Sequence, residues 1–184
     1  MKAFWTIAPL LLASVFANAQ EIPPLAPLRG DVASLSDTLN FIVEKLPVTA
    51  NFMIYGHNNI TGTDDPPIRA SQALTKASSN AGSCSISFHL KFGTSVERDG
   101  EILLKQVQEV SFMPWETSSQ QANAKAGHPE QTVKVDPAIT LVVVKIAPNR
   151  RVTFNFYDES LAERVTLALK HAVSLCGGGK PETF

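Results

Sequence analysis

Charge is scarce in this chain, and balanced where it occurs. Asp, Glu, Lys and Arg make up 18% of the 184 residues, and 16 basic side chains stand against 17 acidic ones. Phosphate backbones are held by a strong basic excess or patch, so nucleic acid is excluded as the main partner. Cysteine is nearly missing, with Cys84 and Cys176 alone. His57, His89, His128 and His171 form no HExxH arrangement and no Cys-x-x-Cys pair exists, so there is no zinc signature. A Gly-x-Ser-x-Gly elbow is absent as well. Gly177-Gly178-Gly179 follows a helical stretch instead of opening one, and so lacks the amide cradle of a phosphate loop. The sequence calls for no catalytic residue, no cofactor and no metal.

Long apolar runs are also missing, except at the start. Lys2 provides a positive end, Ala3 to Phe16 form a nearly unbroken apolar run, and Ala17-Asn18-Ala19 places small residues at a cleavage site. The run is short for a membrane span, which needs about 20 residues. Residues 1–19 therefore read as a signal peptide cut between Ala19 and Gln20; a retained N-terminal anchor helix is the alternative. No cysteine follows the cut, which excludes a lipid anchor there. Further on, the best apolar run, Ile139 to Ile146, is strand-sized and contains Lys145, so no integral membrane segment is expected after cleavage. Loss of Lys2 with the leader leaves 15 basic against 17 acidic side chains. The location implied is periplasmic or secreted.

Residues 20–30 carry Pro23, Pro24 and Pro27 and read as a linker. Residues 31–179 read as a single α+β domain, and 180–184 as a tail. In an exported chain with two cysteines, pairing is the default; two buried free thiols are the alternative.

Within the domain, hydrophobic period sets the elements. A helix starts near Asp31 or Ser34 and runs to Leu46, with Leu35, Leu39, Ile42 and Leu46 on one face and Pro47 as its stop. Thr49 to Gly56 reads as a strand. Residues 57–82 are polar and open, with Ile68 to Ala77 either strand or short helix. Ser83 to Phe92 alternates strictly, with Cys84, Ile86, Phe88, Leu90 and Phe92 on one face. The other face carries Ser83, Ser85, Ser87, His89 and Lys91. Asp99-Gly100 reads as a turn into Glu101 to Phe112, where the apolar phase slips between Leu104 and Val107. Pro114 to Gln131 reads as a polar loop. Ile139 to Ala147 has the β-branched density of a central strand, and Pro148-Asn149 turns it into Arg151 to Tyr157. A last helix, capped by Asp158 or Ser160, buries Leu161, Val165, Ala168, Leu169, Ala172 and Cys176 before the glycines. Cys84 and Cys176 both fall on apolar faces, which favours their pairing.

The ending Phe154-Asn-Phe-Tyr-Asp-Glu-Ser-Leu-Ala-Glu-Arg-Val-Thr-Leu-Ala-Leu-Lys-His-Ala-Val-Ser-Leu-Cys176-Gly-Gly, with the Cys84 strand, resembles small exported bacterial proteins of unknown function. It is also similar to pleckstrin-homology-like domains, in which a C-terminal helix plugs one end of a curled sheet. The resemblance spans about the last third of the chain. It implies an N-terminal helix, an antiparallel curled sheet of about five to seven strands and a C-terminal packing helix. It carries no catalytic motif across. The basic cluster that phosphoinositide-binding members hold between their first strands is replaced here by His57-Asn-Asn-Ile-Thr-Gly-Thr-Asp-Asp. In a bacterial context the sequon Asn59-Ile60-Thr61 is a chance match.

The candidate ligand surface is the polar face of the sheet: Ser85, Ser87, His89 and Lys91, joined by Thr153 and Asn155 if the two strands are neighbours. A plain solvated sheet face explains the same pattern. His57 with Asp64 and Asp65 offers a metal set that surface polarity explains equally well. His171 sits where a cation suits a helix end. Met113-Pro114-Trp115 is either a contact or part of the core. Because Cys84 and His89 fall on opposite strand faces, no thiol–imidazole pair forms. The function expected is a non-catalytic binding or interaction module with an unknown protein or small-molecule partner. A small hydrolase with a spatially assembled site and a structural part of the cell envelope are the alternatives.

Overall fold

The computed structural model describes residues 33–147 and 150–179. The expected leader with its Ala19–Gln20 junction, the linker 20–30, the Pro148-Asn149 turn and the tail 180–184 lie outside the described residues.

The first helix, α1, spans Leu35–Lys45. Ser34 caps it, its Oγ accepting from the Asp37 amide at 3.1 Å. Leu39 and Ile42 turn inward, and Pro47 cannot continue the ladder. Strand β1 (Thr49–Asn58) ends in a tight loop that Asn58 builds, its Oδ1 accepting from the amides of Ile60 (3.0 Å) and Thr61 (3.1 Å). Then come β2 (Thr63–Asp64), β3 (Ile68–Asn80), β4 (Ser85–Phe92) and β5 (Val96–Leu103). The open segment Ile68 to Ala77 is thus strand. A single 3-10 turn, Leu104–Gln106, separates β5 from β6 (Glu109–Pro114), which accounts for the phase slip between Leu104 and Val107.

Two expectations are corrected here. The chain does not turn at Asp99-Gly100; β5 runs straight through both residues, and the reversal lies between Phe92 and Val96. Nor is 114–131 a loop, because α2 occupies Trp115–Lys125. Its Glu, Gln, Ala and Lys residues are good helix formers. Its one large apolar anchor is Trp115, whose ring lies 4.9 Å from that of Phe52; Ser118 is buried, and Glu116 and Asn123 bond the backbone at Val135 and Gln131, so no apolar stripe marks it in the sequence. At its end Gly127 takes φ +88°, and the Gly127 and His128 amides return to the carbonyls of Ala124 and Asn123.

Strands β7 (Gln131–Asp136), β8 (Thr140–Ala147) and β9 (Arg150–Phe156) lead into α3 (Glu159–Leu175). Asp158 caps α3 by accepting from the Leu161 amide at 3.1 Å. The Ser160 hydroxyl, then the Leu161 amide, hold its carboxyl below the usual carboxylate range. His171 is not a dipole partner in the last turn. It reaches the Ala33 carbonyl at 3.0 Å and ties α3 to the residues ahead of α1.

All pairings are antiparallel, and the class is α+β, with α1 first and α3 last. The strands fall into two sheets instead of one. In the first, β1 lies between β7 on one edge and β3 on the other, followed by β4 and β5; β2 continues the β3 side of β1. The second is β6-β8-β9. Strand β8 is central and buried on both faces, which is why its run is continuously apolar. Val142, Val144 and Ile146 meet α1, α3 and the inner faces of β3, β4 and β5. Leu141 and Val143 meet Ala50, Phe52 and Val135 on the other side.

Cys84 and Cys176 form a disulfide, with Cα atoms 5.9 Å apart. It fastens the start of β4 to the end of α3. Cys84 lies at φ +53°, a left-handed position rare for a side-chain-bearing residue, held by the sulfur bond and by its carbonyl accepting from the Leu104 amide at 2.8 Å. Among the described residues no helix is long and apolar enough to cross a membrane.

Candidate functional site

The six candidate ligand residues do not converge on one surface. Ser87 is exposed and His89 half-buried on the outer face of β4, as the alternation requires. Lys91 follows them and pairs with Glu97 at 3.2 Å. Ser85 is buried, its hydroxyl 2.9 Å from that of Ser83, and Phe92 at the far end is 38% exposed, so the ideal alternation breaks at both ends of the strand. Thr153 and Asn155 lie on β9, in the other sheet, and do not neighbour β4. Asn155 is buried beside Gln72 and Leu74, and Thr153 faces a small cavity beside Trp115 and Ser118. Those two belong to the packing between the sheets.

What gathers around Ser87 and His89 comes instead from β3 and β5. The register sets Lys76, His89 and Asp99 in one row across three strands, and Ser78, Ser87 and Glu101 in the next. Together with Pro47, Thr75, Ala77, Phe88 and Gly100, these residues line an open groove of about 860 Å3. A glycine is required at position 100, since a Cβ there would fall 2.3 Å from the Phe88 ring. The ring thus lies across the backbone of β5, stacked edge-on against Phe154 on its other side.

His89 organises the polar part of the groove. Its Nδ1 is 2.7 Å from Asp99 Oδ1 and its Nε2 is 3.6 Å from Glu97 Oε2. Both ring nitrogens therefore face carboxylates, whereas activation of a serine needs one nitrogen on the hydroxyl. Lys76 on β3 and Lys91 on β4 thus face a row of acids on β5, Glu97, Asp99 and Glu101. Such a surface offers a ligand paired hydrogen bonds and charge.

The second histidine cluster is simpler. His57 Nδ1 lies 2.7 Å from Asp64 Oδ1, a pair across the β1–β2 ladder. Asp64 and Asp65 border a cavity of about 580 Å3 with Tyr55, Gly56, Pro67, Lys134 and Asp136. Among the described residues no group of three or more potential ligands is placed to hold a metal. Trp115 packs on Phe52 at the edge of the smaller core.

No protein-family profile, curated protein or solved structure matches the chain. The site must be read from its own geometry. Sequence reasoning missed Lys76, Glu97, Asp99 and Glu101. A signal for the acidic three was present: Glu97, Asp99 and Glu101 alternate with Arg98, Gly100 and Ile102 at the period of a strand.

Proposed function

We propose that this protein is an exported, non-catalytic binding module of pleckstrin-homology-like build, acting in the periplasm or outside the cell, with its ligand in the groove across β3, β4 and β5. Export is supported by the composition of residues 1–19 and by the Cys84–Cys176 bond, which persists in oxidising compartments. The pleckstrin-homology-like reading draws on the way β9 runs directly into α3 and α3 packs on the sheets.

One observation carries the binding reading: His89 held between Asp99 and Glu97, in register with Lys76, on the wall of an open groove. The test is a 15N NMR screen of peptide and saccharide probes. A ligand should shift the amides of Ser87, His89 and Asp99 together. His89→Ala should abolish those shifts while lowering stability by under about 1 kcal/mol, because its partners Asp99 and Glu97 are exposed carboxylates and such surface contacts contribute little. Shifts that cluster around Trp115 or Asp64 and leave β4 unmoved would refute this placement.

A further inference from the structure

We infer that β5 is an acceptor edge for one added strand, supplied by an extended cationic polypeptide partner. This rests on the binding reading above and adds the partner's class and mode of attachment. In an antiparallel ladder alternate residues turn their amide and carbonyl groups away from the neighbour. The Leu104 amide bonds the Cys84 carbonyl at 2.8 Å, and Ile86 stands opposite Ile102. Ile102, Gly100 and Arg98 therefore bond to β4, while Leu103, Glu101, Asp99 and Glu97 present their backbone groups outward. Among the described residues, one of those outward groups has a partner: the Glu101 carbonyl accepts from Arg150 at 2.8 Å.

Two of the other edges, those of β7 and of the free end of β1, are closed by side chains. On β7, the Val135 amide bonds Glu116 at 3.1 Å and the Gln131 carbonyl accepts from Asn123 at 3.0 Å, so α2 closes that edge. Where β7 leaves β1, the Tyr157 hydroxyl donates to the Asn51 carbonyl at 2.7 Å and accepts from the Asn51 amide. On β9 one carbonyl is partnered, as on β5: that of Thr153 accepts from Gln72 at 3.3 Å. An edge with open donors and acceptors is a template for strand addition.

Charge selects the occupant. Glu97, Asp99 and Glu101 stand at alternate positions of β5, so a second copy pairing edge to edge would set carboxylates opposite carboxylates. A strand with Lys or Arg at alternate positions would meet all three. Asp99 retains 91% side-chain exposure while bonding His89, and Glu97 retains 52% while bonding Lys91. A carboxylate accepts several hydrogen bonds, so both can serve a second cation on the open side.

The test uses a decapeptide of alternating lysine and valine, its glutamate–valine counterpart, and the lysine peptide N-methylated at alternate residues. With the lysine peptide, exchange of the Glu97, Asp99 and Leu103 amides should slow by at least about tenfold. The other two peptides should leave them unchanged. Glu101→Lys, which alters one exposed side chain, should weaken lysine-peptide binding about threefold to fivefold. Unprotected amides, equal binding of the N-methylated peptide, or a Glu101→Lys variant that binds as before would overturn strand addition. If other ligands move Ser87 and His89 while the β5 amides stay open, the groove stands and the acceptor edge falls. Protection confined to β5, with β3 and β4 silent, would support the edge and remove the groove.

Discussion

Replacing Cys84 and Cys176 together by alanine is expected to lower the free energy of unfolding by about 2–4 kcal/mol. The bond joins positions 92 residues apart, so its loss frees a long loop in the unfolded chain. Its folded-state role points the same way. Without it, the end of α3 keeps the Gly179 amide on the Val107 carbonyl at 2.7 Å, the close approach of Gly178 to the Leu104 carbonyl, and Val173 in the core with Leu104. Urea unfolding of the double variant and of the reduced wild type should give matching losses. A change below about 0.5 kcal/mol would show that α3 docks without its staple.

Phe156→Ala should cost about 3–5 kcal/mol, the range for deleting a fully buried aromatic side chain. Phe156 is 1% exposed and sits where β9 hands the chain to α3, in the core shared by α1, α3 and both sheets. Thermal or urea unfolding measures the loss. A loss under about 1 kcal/mol would mean that the sheets and helices do not share one core.

These two sites show what the sequence made legible. Leu39 and Ile42 on α1, and Val165, Leu169 and Ala172 on α3, recur at helical spacing because each helix buries one stripe. The run Ile139 to Ala147 read as central because both faces of its Leu141 to Val144 stretch are covered. The pairing of Cys84 with Cys176 followed from each lying on an apolar face. Where a single face does not decide the structure, the signal faded. Helix α2 rests on Trp115, Ser118 and two polar bonds to β7, and has no stripe to read. Asp99-Gly100 carries strong local turn chemistry, but pairing with His89 and Phe88 holds it extended, and the Phe88 ring needs the bare glycine. Asn155 was placed in water because period two gives two faces without saying that a second layer covers both. The half of the candidate site on β4 was therefore visible; the part on β5 was hidden by one misplaced turn, and the part on β3 by a polar segment whose period favoured neither strand nor helix.

The whole functional account depends on the outer face of β3, β4 and β5 meeting a ligand outside the cytoplasm. Site-specific photocrosslinking in the cells that export the protein tests it most directly, with p-benzoylphenylalanine placed at Ser87 or, as the control, at exposed Arg164 on α3. The account predicts a discrete adduct from position 87 and none from 164. Adducts of equal yield from both positions, or none from position 87, would contradict it.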